Sequence, residues 1–256
     1  MQPRRASRLH GLELNGRRIR SWALALAALA PLALSAPVSA EAGVPGSERL
    51  SNERTHTRWA HSTQRAPIRR HPRAAAKRVT GVHKLTEDGY PEVYLALRRW
   101  VDGDGDRWLK IRIPMRPNGR TGWVRDYALG RLRTVRTRLV VNRGHLRATL
   151  YRSGRRIWES RIGIGKARTP TPAGHFWIRE RIRVRNPGGS YGPFAFGTSA
   201  YSRLSDWPGG GVIGIHGTNQ PNLIPGRPSH GCIRVANRPI KRLAHLMPIG
   251  TPLHIK

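Results

Sequence analysis

The sequence predicts a mostly β protein with one short helix. Three observations carry that reading. Apolar and polar residues alternate in short runs through most of the chain. The runs are separated by turn residues, drawn from 28 glycines and 20 prolines in 256 residues. Helical spacing of apolar residues occurs at a single place, close to the C-terminus.

The first forty residues stand outside that pattern. Arg4, Arg5, Arg8, Arg17, Arg18 and Arg20 make a basic leader, Trp22 to Ala36 is apolar apart from Pro31, and Val38-Ser39-Ala40 is a small-x-small site. This order predicts a secretory signal peptide, residues 1–40, cleaved after Ala40. The apolar run is shorter than the ~20 residues that span a bilayer. No transmembrane span is expected after cleavage. The mature protein is expected in the periplasm, the cell envelope or the cell wall. Residues 41–78 are polar and rich in Arg, His, Thr, Ser and Pro. They carry no sustained apolar period and are expected to form a disordered basic linker.

Residues 79–135 alternate. Tyr94-Leu95-Ala96-Leu97 is a strand, as is Trp108-Leu109-Lys110-Ile111-Arg112-Ile113. Pro117-Asn118-Gly119 supplies a turn before the strand Trp123-Val124. This run of Trp-x-Lys-Ile-x-Ile, Asn-Gly turn and Gly-Trp-Val resembles bacterial SH3-like modules. Asp102-Gly103-Asp104-Gly105-Asp106 has the look of a calcium loop, but Arg107 stands where glycine is needed and Ile113 where the bidentate acid is needed. A polar hairpin tip is the better account.

Residues 136–256 form a second β-rich unit. Leu139 to Asn142, Leu146 to Tyr151, Ile157-Trp158, Ile162 to Gly165, Phe176 to Ile178, Val212 to His216 and Leu253 to Ile255 read as strands. Thr169-Pro170-Thr171-Pro172 is a stiff turn. Asn237 to about Met247 is the helix: Asn237 caps it, Pro239 suits its first turn, and Ile240, Leu243, Ala244 and Met247 share a face.

The formal charge is +33, from 47 Lys and Arg against 14 Asp and Glu. Such a charge can mark a nucleic-acid binder, yet an exported protein meets anionic envelope polymers and phospholipid head groups instead, and arginine binds phosphates and carboxylates in a fork. A biased genome accounts for the excess equally well. Retention at the envelope is the inference drawn from charge, with anionic polymers as partners and nucleic acid not among them.

Cys232 is the chain's single cysteine, so it forms no internal disulfide. It stands in Ser229-His230-Gly231-Cys232-Ile233-Arg234, and His216 ends a glycine-rich apolar run upstream. In an extended chain Val212, Gly214 and His216 share one face, and Cys232 and Arg234 another. Thiol and imidazole can then meet in one cleft. A thiol ionises near pH 8.5 and only the thiolate is a strong nucleophile, so a histidine within hydrogen-bond reach supplies the base. The Gly231-Cys232 amides are candidates for oxyanion donors, and Arg234 for a carboxylate fork. These residue types describe acyl transfer through a thioester. A zinc site built from His216, His230, Cys232 and His245 has no common ligand spacing, so no metal is expected, and no cofactor is called for.

His216-Gly217-Thr218 followed by Ser229-His230-Gly231-Cys232-Ile233-Arg234 resembles the signature of the L,D-transpeptidases with a YkuD-type catalytic domain. Gly165-Lys166, Thr169-Pro170-Thr171-Pro172, Gly174 and Phe176 resemble the same family upstream. The resemblance covers Arg136 to the C-terminus and implies a β-sandwich or β-rich catalytic domain. It implies that Cys232 attacks the carbonyl of a third-position diaminopimelate in a peptidoglycan stem tetrapeptide and releases D-alanine. His216 is then the base, its other ring nitrogen held by a carbonyl near Gly217. Ser229 and His230 shape the loop, with the amides of His230, Gly231 and Cys232 as oxyanion donors. Arg234 binds substrate. An amine of a neighbouring stem resolves the thioester; water in its place makes an L,D-carboxypeptidase. Carbapenems are implied acylating inhibitors. Tyr191 and Tyr201 are both candidates for a tyrosine that some members place near the oxyanion site. The competing reading is a non-catalytic wall-binding protein.

Overall fold

The computed structural model describes residues 46–205 and 208–256. The expected signal peptide, residues 1–40, lies outside them. The mostly β fold is borne out: the described residues carry two sheets and one α-helix.

The first sheet has eight strands. Across it run Arg78–Gly81, Pro67–Arg69, Thr121–Arg125, Arg107–Arg112, Val93–Val101, Thr57–His61 and Arg133–Val135, while Gly46–Arg49 adds to the long strand Val93–Val101. Three of the strands in this sheet lie wholly between residues 46 and 78, where a disordered linker was expected. That expectation is corrected. Thr57–His61 sits between two partner strands and buries Trp59 and Ala60, and Ile68 is fully buried in Pro67–Arg69. The apolar signal was weak because few residues supply the core here. The polar ones satisfy backbone groups instead. The Asn52 side-chain oxygen accepts the amides of Arg54, Thr55 and His56, and Ser51 bridges the Ala96 carbonyl and the Arg58 amide. The Arg133 guanidinium lies over the Trp59 ring.

The second sheet has ten strands. Gly174–Trp177, Pro252–Ile255, Thr137–Asn142, Arg147–Arg152 and Arg155–Gly165 form one side. Ile233–Val235, Val212–His216, Phe194–Tyr201 and Ile182–Arg183 continue it, and Gly226–Ser229 pairs with Arg155–Gly165. Leu139, Val141, Leu150, Ile162, Phe196, Ile213, Ile215, Ile233 and Val235 point into one core. Each such side chain contributes about 1.5–3 kcal/mol by leaving water. The helix Asn237–Leu246 presses Ile240, Leu243 and Ala244 onto that core, as its period predicts. Its cap is not the expected one. Asn237 is the first helical residue, and its side-chain oxygen accepts the Thr218 amide instead.

The two sheets share a third apolar cluster. Trp59, Val93, Leu95 and Val135 of the first sheet pack with Trp177 of the second. The Trp177 indole N–H donates to the Val93 carbonyl at 2.8 Å. Beside this cluster Arg179 and Glu92 form an ion pair, both almost wholly buried, and Arg179 also meets Glu87 at 2.9 Å. Glu87 in turn accepts the Tyr201 hydroxyl.

Candidate active site

The strands Val212–His216 and Ile233–Val235 lie side by side and parallel, with Ile215 beside Ile233 and His216 beside Arg234. Parallel pairing puts equal offsets at equal heights. Ile213, Ile215, Ile233 and Val235 are buried, and Gly214, Cys232 and Arg234 are partly exposed. The alternation read from the sequence therefore holds on both strands.

Cys232 and His216 come together over Gly214. A methyl group on Gly214 would sit 3.8 Å from the Cys232 Sγ and 3.8 Å from the His216 Cδ2, so the two groups lie within twice that distance of each other. The bare Gly214 leaves the space between them open. Its amide donates to Sγ at 3.4 Å. His216 Nδ1 lies 2.6 Å from the Gly217 carbonyl oxygen. A carbonyl only accepts, so Nδ1 carries the proton and Nε2 keeps its lone pair.

Burial pushes the His216 imidazole down to about 4; the Gly217 hydrogen bond opposes this, and the Arg234 charge adds to it. Burial pushes the Cys232 thiol up, against the Gly214 amide and the Arg234 charge, which favour the thiolate. Neutral thiol beside neutral imidazole is thus the resting pair at neutral pH.

The loop before Cys232 is fixed by a chain of hydrogen bonds. Ser229 is buried; its hydroxyl donates to the Cys232 carbonyl at 2.6 Å and accepts the Gly231 amide at 3.1 Å. Gly231 has φ +129, and a methyl there would meet Ile213 Cδ1 at 2.8 Å, so only glycine fits. The Thr171 hydroxyl donates to the Gly231 carbonyl at 2.7 Å and accepts the Gly165 amide at 3.0 Å. Thr171 is buried. The Thr-Pro-Thr-Pro segment, read as only a stiff turn, is thus a strut under the cysteine loop. Its signal was present in the motif, but the partner sixty residues away was not. The Gly231 amide is committed to Ser229, which removes it from the oxyanion donors expected from the sequence.

The other expected residues fall as follows. Gly217 abuts Asn237: a methyl on Gly217 would lie 2.5 Å from the Asn237 side-chain oxygen. His230 is exposed on the loop. Arg234 directs one guanidinium nitrogen to Gln220 at 3.1 Å. Of the two tyrosine candidates, Tyr191 stacks obliquely on His216, with ring centroids 4.6 Å apart. Its hydroxyl is pushed up by burial and by the Cys232 sulfur. The Tyr201 hydroxyl is engaged with Glu87 and the Pro114 carbonyl.

Cys232 opens into a groove of about 530 Å³, lined also by Asp88, Arg183, Arg185, Tyr191 and Gly214. Among the described residues no three or more His, Cys, Asp or Glu side chains gather as a metal would require. No helix among them is long and apolar enough to cross a membrane.

A family model described as the YkuD L,D-transpeptidase catalytic domain matches residues 136–255. The YkuD protein of Bacillus licheniformis, provisionally named an L,D-transpeptidase, is 35% identical over 122 residues, which cover 48% of this chain and 67% of that protein. The YkuD protein of Bacillus subtilis strain 168 gives the same identity and coverage. Among solved structures, a cysteine-to-serine mutant of an Enterococcus faecium L,D-transpeptidase aligns at 26% identity and TM-score 0.38, over 47% of this chain. This chain spans about half (49%) of that one. An L,D-transpeptidase from Mycobacterium tuberculosis aligns at 13% identity and TM-score 0.40, over 59% of this chain and 90% of its own. With more than a third of the aligned residues shared across two thirds of a Bacillus relative, this chain belongs to the YkuD family of L,D-transpeptidase catalytic domains.

Proposed function

We propose that this protein is an exported peptidoglycan L,D-transpeptidase with Cys232 as nucleophile and His216 as base. The observation that supports the reading is that thiol and imidazole both flank Gly214, within twice 3.8 Å of each other, with Nε2 left unprotonated by the Gly217 bond. Nε2 takes the thiol proton as Sγ attacks the carbonyl of the third-position diaminopimelate in a stem tetrapeptide. The negative charge on the former carbonyl oxygen meets amides of the cysteine loop, with those of His230 and Cys232 as the donors once Gly231 is committed. The imidazolium returns its proton to the leaving nitrogen, D-alanine departs, and a thioester remains. An amine of a neighbouring stem then attacks the thioester and loses a proton to Nε2, and the thiol is restored.

Arg234 supplies a charge felt at both Cys232 and His216, which supports a role at a substrate carboxylate. Export rests on the sequence of residues 1–40, and the +33 charge supports retention by anionic envelope polymers.

The test combines mass spectrometry and muropeptide analysis. The mature protein exposed to a carbapenem is expected to carry one adduct, on Cys232, and Cys232→Ser none. Purified sacculi incubated with the protein are expected to gain cross-links between third-position residues. An unmodified wild-type protein would refute the nucleophile assignment. Tripeptides formed without cross-links would make it an L,D-carboxypeptidase.

A further inference from the structure

We infer that Asp88, carried by the first sheet's unit, completes the substrate groove of the second as the anchor for a substrate ammonium group. This rests on the transpeptidase reading above and names a specificity residue for that same site.

Asp88 lies outside the residues that the catalytic family model matches, yet it lines the groove into which Cys232 opens. Its charge is felt at the Tyr191 hydroxyl, which in turn stacks on His216. The chain is strongly basic, and arginines are available almost everywhere as partners for an acid. Among the described residues, however, no ion pair joins Asp88 to a cation. Its charge also bears on the buried Glu180 carboxyl, which burial pushes up to about 7.

The position of Asp88 is built. It sits in a tight turn in which Gly89 donates to the Thr86 carbonyl at 3.1 Å and Tyr90 donates to the buried Thr86 hydroxyl at 3.1 Å. The preceding residue, Glu87, is tied across the sheet junction to Arg179 and Tyr201. Moving the turn away from the groove would break the ion pair between the buried Arg179 and the partly exposed Glu87.

The same groove carries Arg183 and Arg185. A wall with two guanidinium groups and one carboxylate suits a ligand that presents a carboxylate and an ammonium together. The free end of a diamino-diacid side chain has that chemistry, whereas a simple carboxylate or a neutral amide does not. Arginine receives the carboxylate, and Asp88 receives the ammonium.

The experiment compares two tetrapeptide donors with the full mature chain. One donor carries the third-position diamino-diacid with its side-chain amine free; in the other that amine is N-acetylated. The readouts are kcat/KM for each donor and the rate of Cys232 acylation by a carbapenem. For wild type the free-amine donor is expected to be preferred. Asp88→Asn is expected to lower that preference by ~10- to 100-fold, the range of a lost charge-assisted hydrogen bond. Asp88→Glu is expected to restore part of it, and Asp88→Lys to reverse it. Carbapenem acylation reports that the thiol and its base remain in place in each variant. Equal losses on both donors, or an unchanged preference in Asp88→Asn, overturn the inference and leave the transpeptidase reading standing. A wild-type enzyme that turns over neither donor overturns that reading, and this inference falls with it.

Discussion

Thr171 holds the carbonyl of Gly231 at 2.7 Å, and so ties the segment before Phe176 to the residue that precedes the thiol. The same hydroxyl accepts the Gly165 amide, and a methyl on Gly165 would meet the Thr169 carbonyl oxygen at 2.2 Å. One strand end and the cysteine loop are thereby held to one buried oxygen. Thr171→Val keeps the shape and removes both bonds. It is expected to cost about 1–3 kcal/mol for the groups left unpaired, read by denaturant unfolding, and to slow acylation of Cys232. Full stability with full acylation would mean that water replaces the hydroxyl.

On the proposed mechanism the buried imidazole sets the pH dependence of acylation. With His216 pushed down to about 4, Nε2 is a free base through the neutral range. The acylation rate is expected to hold as pH falls through 6.5 and to decline only as it nears 4. An acid limb centred at 6.5 would show a solvated ring. The sign for stability is the same. The folded state resists protonation, so the contribution of His216 is complete above its unfolded pKa of about 6.5 and is lost as pH falls towards 4. His216→Ala should lower the acylation rate by ~10²–10⁴ near neutral pH.

Glu180 works in the opposite direction. Burial raises its carboxyl from the ordinary 4.5 to about 7, with Asp88 adding to the rise and Thr86 and Arg179 opposing it. The folded state binds the proton more tightly than the unfolded chain. This contribution is complete below about 4.5 and is lost as pH rises through about 7. Glu180→Gln should therefore gain stability relative to wild type as pH rises from 5 to 8.5. Thermal unfolding at the two pH values checks this, and a constant gap between the proteins would contradict it.

The junction between the sheets depends on Glu92. Its carboxylate is fully buried and accepts both the Arg179 Nε and Nη2, and one of its oxygens also accepts the Val93 amide. Glu92→Gln leaves Arg179 with Glu87 as its remaining acid. Removing one member of a buried pair costs about 3–5 kcal/mol, and the surviving Glu87 contact puts the expected loss at the lower end. Equilibrium unfolding reads it; a loss under ~1 kcal/mol would mean that solvent enters the junction.

Much of the site was legible because strand alternation and a dense local motif both act over short distances. Ser229 to Arg234 announced its chemistry, and the period of two placed Cys232 and Arg234 on one face and Ile233 and Val235 on the other. The helix face of Ile240, Leu243 and Ala244 was legible for the same reason. The strands Phe194–Tyr201 and Gly226–Ser229 were not read, since glycines and prolines within or beside them mask the alternation. The strands between residues 46 and 78 were hidden by polar residues that serve backbone hydrogen bonds.

The amino-acid order alone determined the β character, the candidate nucleophile and base, and the family whose motif they form. Folding decided which distant groups serve them. Thr171 under Gly231, Asn237 against Gly217, Tyr191 on His216 and Asp88 at the groove join residues far apart in the chain. Periodicity reports which face a side chain takes, but not which strand lies next to it. That choice is made by burial of the shared core, and so it exists only once the sheets have closed on it.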